Sequence, residues 1–241
     1  MRRQLPTILW ACVFAALLLW LFYAQQERLM MMAELYMEDV LYLSVEHMEL
    51  VGISGGLAIL CGVLLGILLS RSFMARLADP VMQVLNIGAT IPTLAVLALS
   101  MSFLGIGIVP SLFALWVMAL LPIARNTYAG IKSVSPHLIE AATGMGMRPL
   151  YIVLRVELPN SLFVIFAGIR TAISINIGTA PLAFLIGGGG LGELIFTGID
   201  LNEIDMLLSG VIPVALLAVL VDFIFGQMQY WLIPRGVHPT R

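Results

Sequence analysis

The sequence predicts an all-α integral membrane protein of about six transmembrane helices. Three observations carry this reading. Hydrophobic residues make up 61% of the 241 and charged residues only 11%, whereas an ordinary soluble domain carries roughly 25% charged residues. The apolar residues fall in long runs, and one bilayer crossing takes about 20 of them. The basic residues recur in alternate gaps between the runs. A soluble fold of this size could not cover so much apolar surface, so lipid is the solvent for most of the chain. The length leaves no room for a large soluble domain.

The apolar stretches, in order, are Thr7 to Ala24, Leu50 to Leu69, Val81 to Leu104, Ile108 to Ile131, Ser161 to Ala180 and Met206 to Leu232. Arg2 and Arg3 precede the first, as in a secretory signal. That run is longer than a signal's apolar region, and no small-x-small cleavage site follows it, so it reads as an uncleaved helix. Gln26 to Glu46 reads as an acidic outer loop with an amphipathic segment on the membrane surface. The chain thus divides into a first helix and outer loop (1–49), a main transmembrane domain (50–232) and a tail (233–241).

Charge sets the orientation. Arg2, Arg3, Arg71, Arg76, Arg125, Lys132, Arg148, Arg155, Arg235 and Arg241 fall on one side of a six-span layout. That side is the cytoplasm, because basic residues accumulate there. The opposite gaps hold Glu27, Glu34, Glu38, Asp39, Glu46, Glu193, Asp200, Glu203 and Asp205, with Arg28 as their one base. Both termini are then cytoplasmic. Pro92, Pro110, Pro122, Pro181 and Pro213 interrupt spans. Such breakers persist where neighbouring helices or a hydrated path satisfy the freed backbone groups, and both readings stand. Gly52, Gly55, Gly62 and Gly66 suit close helix packing. Cys12 and Cys61 lie in apolar runs and read as packing residues, not a disulfide.

The longest cytoplasmic connection, Lys132 to Asn160, has the signals of ordered structure. Ser135-Pro136 is a helix start, with the serine side chain as a cap and proline in the first turn. His137 to Thr143 forms a short helix, ended by Gly144 and Gly146. Pro149 opens a second, and Leu158-Pro159 closes the loop at the membrane.

Within this loop, Glu140-Ala141-Ala142, three residues, Gly146, nine residues, Val156, one residue and Leu158-Pro159 match a known signature, EAA-x3-G-x9-I-x-LP. Valine replaces its isoleucine. The chain therefore resembles the permeases of bacterial binding-protein-dependent ABC importers. The resemblance implies the type I importer permease fold, with this loop as the helix that docks on the ATP-hydrolysing subunit. Ser135, Pro136, His137, Glu140, Ala141, Ala142, Gly144, Gly146, Leu158 and Pro159 would form the coupling surface. It also implies the partners: two ATP-binding cassette subunits, a second permease subunit, identical or homologous, and an extracytoplasmic substrate-binding protein, all at a bacterial inner membrane. The permease itself would hold no cofactor, ATP being bound by the partner, and would not be an enzyme.

Further segments are similar to the osmoprotectant branch, whose permeases import glycine betaine, choline or carnitine. They include Thr90 to Ala95, Gly105-Ile106-Gly107, Leu121 to Gly130, Ala167 to Ala172 and Ile186 to Gly192. The resemblance runs from about Leu50 to Ile199 and excludes the first span and Met-rich loop. Another small solute, such as an amino acid, is the alternative cargo.

Other patterns point elsewhere. Gly52-Ile53-Ser54-Gly55-Gly56 fits the motif of a serine hydrolase, the rival from a different class. A serine nucleophile needs a base in reach, and His47, His137 and His238 all lie outside the spans. Gly187 to Gly192 lacks the following Gly-Lys-Ser/Thr of a phosphate loop and reads as a flexible outer turn or re-entrant bend. Contact with the outer binding protein is a lesser reading for it. Met30-Met31-Met32 has no Cys or His pattern beside it to suggest a metal. Arg170 and Asp222 lie at similar depth within spans, where charges are costly unless paired or facing water. An ion pair is the first reading; a place on the transport path is the alternative for Arg170.

Overall fold

A computed structural model describes residues 25–233. The expected first span, Thr7 to Ala24, and the tail beyond residue 233 lie outside the described residues. Among the described residues the structure is helical with no strand.

Helix α1, Gln26–Leu69, holds 44 residues. At about 1.5 Å per residue it is about 66 Å long, roughly twice the hydrocarbon thickness of a bilayer. This corrects the expected surface loop: Gln26 to Glu46 continues the following span as one helix. Residues 26–51 contain neither Gly nor Pro and are rich in Leu, Met and Glu, which favour helix. The buried residues Met32, Tyr36, Leu43, His47, Leu50, Ser54, Ala58, Gly62, Gly66 and Leu69 recur every three to four positions, with one seven-residue step. They form one stripe against the rest of the bundle. The acidic N-terminal half of α1 is therefore held by packing.

The expected span Val81 to Leu104 is also corrected. It consists of α2, Ala75–Gly88, and α3, Thr93–Leu104, whose axes meet at 102°. Pro92 has φ −59° and ψ 136°, an extended conformation, and it offers no N–H to continue α2. The chain turns through Thr90 and Ile91, whose amides bond the carbonyls of Ile87 and Gly88.

Helix α4, Ile108–Lys132, is the central element. After it come α5, Pro136–Gly144, and α6, Pro149–Ile152. A π-helical segment, Val153–Glu157, leads into α7, Leu158–Thr179, and a 3₁₀ segment, Ala180–Ile186. Two more helices complete the described chain, α8, Gly192–Asp200, and α9, Ile204–Leu232. Four of these helical stretches are long and apolar enough to cross a membrane, or five if the bent α2–α3 pair crosses as one.

The core lies where α4 is clasped between α1 and α7. Leu50, Val51 and Ala58 of α1 meet Leu115, Ala119 and Ile123 of α4, and Ile165, Ile169, Ile173 and Ile177 of α7 close the other side. Small residues set the spacing. A Cβ added to Gly66 would stand 2.5 Å from Thr127 Cβ and 2.8 Å from the Ala124 carbonyl oxygen, whereas one on Gly52 would meet nothing within 4 Å. Gly52 is thus not a packing glycine, contrary to expectation. Gly66→Val should accordingly lose most folded protein, since overpacking a rigid contact costs about 1–3 kcal/mol or more. Gly52→Val should stay near wild type. Monodisperse yield in detergent measures both, and equal yields would contradict the close approach.

The N-terminal end of α1 is tied to the start of α9 by polar contacts. Tyr36 Oη donates to Glu203 Oε2 at 3.0 Å, and Arg28 pairs with Asp205. The glycine-rich segment is an ordered turn: Gly187, Gly189 and Gly190 have φ of 80°, 76° and 78°, values that suit glycine. The Gly190 amide donates to Glu46 Oε2 at 3.2 Å, and the Gly107 amide donates to the Ile186 carbonyl at 2.7 Å.

Candidate functional site

The loop between α4 and α7 owes its shape to local chemistry. Ser135 sits at the N-cap of α5 and Pro136 in its first turn, but the serine hydroxyl makes no cap hydrogen bond. The expected side-chain cap is absent, and the Leu138 amide bonds the Ser135 carbonyl at 3.0 Å instead. At the other end the Met147 amide donates to the Ala142 carbonyl at 3.1 Å, and the Gly146 amide to the Thr143 carbonyl at 2.9 Å. Gly146 has φ +77°. This is the Schellman arrangement, with Gly146 in the left-handed position after the helix. The glycine of the signature is therefore a backbone requirement.

Ala142, 1% exposed, anchors α5 to the body. Ser135, Pro136, His137, Glu140, Ala141, Gly144 and Gly146 are exposed. His137 Nδ1 lies 3.8 Å from Glu140 Oε2, with side chains 92% and 76% exposed, so this pair adds little stability. Leu138, Met145, Leu150, Tyr151 and Leu154 also stand exposed along the loop. Large apolar side chains beside exposed polar ones are what a docking surface presents.

Leu158-Pro159 does not close the loop as expected. The helix runs on through it, because the π segment accommodates the proline: the Leu158 amide reaches back to Val153, five residues away. Pro159, which has no N–H to donate, then falls in the first turn of α7. Glu157, in the π segment, is buried, and its Oε2 lies 2.5 Å from Arg71 Nη2. Sequence reasoning used Arg71 only for orientation and Glu157 only as part of a motif. An acid directly before Leu158-Pro159 in an apolar stretch was the available signal.

Further along α7, Arg170 Nε donates to Asp222 Oδ1 and Nη2 to Oδ2, both at 2.5 Å. The structure brings this pair together in the two-pronged geometry of guanidinium and carboxylate. Ser174 Oγ lies 3.5 Å from Asp222 Oδ1. The two charged side chains are 40% and 39% exposed, so the pair is at the surface of the bundle, beside a cleft lined by Phe223, Gly226 and Gln227.

The hydrolase motif does no chemistry here. Ser54 Oγ donates to the Leu50 carbonyl at 2.6 Å and accepts from Asn176 Nδ2 at 2.9 Å. His47, on the same face two turns away, has Nε2 3.1 Å from the Ile177 carbonyl oxygen. A carbonyl oxygen only accepts, so that nitrogen carries the proton and is not directed at Ser54. These contacts join α1 to α7.

Helices long and apolar enough to cross a membrane, joined by an ordered loop between α4 and α7, define the class of the fold: a multi-pass all-α membrane protein. Residues 62–237 match the family of binding-protein-dependent transport system inner membrane components, and the chain belongs to that family. It is 49% identical over 199 residues to an osmoprotectant import permease protein, OsmY, of Salmonella typhimurium, covering 83% of this chain and 84% of that one. The carnitine transport permease protein OpuCB of Listeria monocytogenes is 44% identical over 77% of this chain and 84% of its own length. The choline transport system permease protein OpuBB of Bacillus subtilis is 41% identical over 83% and 91%. In structures of inward-facing conformations of the MetNI methionine ABC transporter, a chain shares the fold. Its TM-score is 0.71 at 24% identity, covering 82% of this chain and 99% of that one.

Proposed function

We propose that this chain is the permease subunit of an ATP-binding-cassette importer for an osmoprotectant such as glycine betaine, choline or carnitine. The observation that carries the reading is its 49% identity to an osmoprotectant import permease over most of both chains. The amino-acid alternative rests on a fold likeness at 24% identity, which speaks for architecture and not for cargo.

In this reading the protein is a non-catalytic, multi-pass inner-membrane component. ATP is bound and hydrolysed on two separate cassette subunits, and the chain needs no cofactor of its own. A second permease subunit, identical or homologous, completes the pathway, and an extracytoplasmic binding protein delivers the solute. The coupling surface is the exposed face of α5 with Ser135, Pro136, His137, Glu140, Ala141 and Gly144, set by the Gly146 turn and based on Leu158-Pro159. Closure of the ATPases on ATP displaces α5 and shifts the permease between outward- and inward-open states. A ligand moves such an equilibrium only as far as its affinity for the two states differs. The charge asymmetry supports cytoplasmic termini.

The test combines topology with transport. Single cysteines replacing Glu38 and Glu203 should react with an impermeant thiol reagent in intact cells, and one replacing His137 should not. Cells lacking their own uptake systems should accumulate labelled glycine betaine, carnitine or choline when the chain is expressed with its ATPase and binding protein. Labelling at position 137 would overturn the orientation. Uptake of amino acids with none of the three quaternary amines would overturn the cargo.

A further inference from the structure

We propose that Arg71 and Glu157 form a positioning latch that makes the base of α1 and the exit of the coupling loop move as one body. This rests on the permease reading above. The loop leaves α4 at Lys132 and rejoins the bundle through the π segment that ends at Glu157. Its entry is anchored by the buried Ile131 and Val134. Its exit passes through a π segment, which departs from the regular α bonding pattern and is frequent at functional sites.

Arg71 is fixed on the α1 side. Its Nε lies 3.2 Å from the Ile67 carbonyl oxygen and 3.0 Å from Ser70 Oγ, and its Nη2 lies 2.7 Å from that hydroxyl. The same Nη2 meets Glu157 Oε2 at 2.5 Å, with side chains 21% and 9% exposed. The contact is an ion pair by distance and not an aligned hydrogen bond. Glu157, the last residue of the π segment, thus has its charge partner just past the end of α1, two residues beyond Leu69. Beside the pair, Lys132, Pro136, Ile139 and Glu140 line a cleft of about 350 Å³ with it. The latch therefore stands directly behind the N-terminal turn of α5. When α5 is displaced, the pair resists dissipation of the movement in the π segment and passes it to α1. Helix α1 in turn is locked to α4 through Gly62 and Gly66.

A pair serving stability alone would change yield and nothing else. A positioning pair changes the ratio of work to hydrolysis, and the complete transporter with its ATPase and binding protein reports both. Arg71→Gln and Glu157→Gln, each in that reconstituted complex, should assemble and keep basal ATP hydrolysis within about twofold. Stimulation by glycine betaine-loaded binding protein should fall at least fivefold, and uptake per ATP hydrolysed should fall with it. The double variant Arg71→Glu with Glu157→Arg restores the opposite charges and should recover at least half of both. Single variants that assemble with unchanged stimulation would overturn the proposal. So would single variants that fail to assemble, whether or not the exchanged pair restores assembly, since the pair would then be a folding element. A wild-type complex with no stimulated hydrolysis would instead count against the permease reading itself.

Discussion

Gly146→Val should abolish solute uptake, to below about a tenth of wild type, while the protein still inserts and runs as a single species in detergent. The reason is backbone geometry. Gly146 has φ +77° with open space around its Cβ position, so no steric clash stands in the way. The cost is conformational: a left-handed residue other than glycine loses about 1–2 kcal/mol, and a β-branched one is an outlier there. That is enough to shift a local equilibrium about 5- to 30-fold. The loop would then leave its Schellman turn, and Met147 would lose its bond to Ala142, the buried residue of α5. Gly146→Asn is the control, because asparagine tolerates the left-handed region, and it should keep most uptake. Equal loss in both variants would show that position 146 acts by contact and not by turning the chain. Uptake of labelled glycine betaine, with membrane yield measured in parallel, decides between them.

The second large effect concerns Arg170 and Asp222. Arg170→Gln and Asp222→Asn should each lower thermal stability in detergent, and the double variant should recover much of the loss. A pair fully in water contributes about 0–1 kcal/mol, whereas breaking a buried pair costs about 3–5 kcal/mol. The side chains here are 40% and 39% exposed in the isolated chain, so the size of the coupling energy measures what covers this face. A coupling of about 2 kcal/mol or more in a double-mutant cycle would mean that lipid or a second subunit excludes water. Additive losses would mean that each charge is solvated by itself, with Arg170 better placed on a hydrated path.

Much of this architecture was legible because it depends on local composition. Long apolar runs between charged gaps mark candidate membrane helices by composition alone, and a chain of a solved ABC transporter shares the fold. The loop was legible for the same reason: Pro136 can open a helix and Gly146 can turn the chain whatever surrounds them. Composition misled where continuity was the question. The acidic stretch Gln26 to Glu46 has loop-like charge, yet nothing in it breaks a helix, and its buried stripe keeps it in α1. Conversely, Val81 to Leu104 is mostly apolar and carries no charge, but Pro92 and the chain turn before it bend the run by 102°.

The remaining features exist only once the helices are packed. Glu157 is an ordinary acid in sequence, and becomes half of a latch because the close fit of Gly66 on Thr127 holds the end of α1 beside the π segment. Ser54 looks like a nucleophile until Asn176, far along the chain, occupies its hydroxyl. Arg170 and Asp222 share a depth by counting, but facing each other depends on how α7 and α9 are rotated. Depth along a helix accumulates at a constant rise per residue and can be read from one sequence. Rotation and pairing depend on which surfaces touch, and that is settled by the whole set of packed side chains at once.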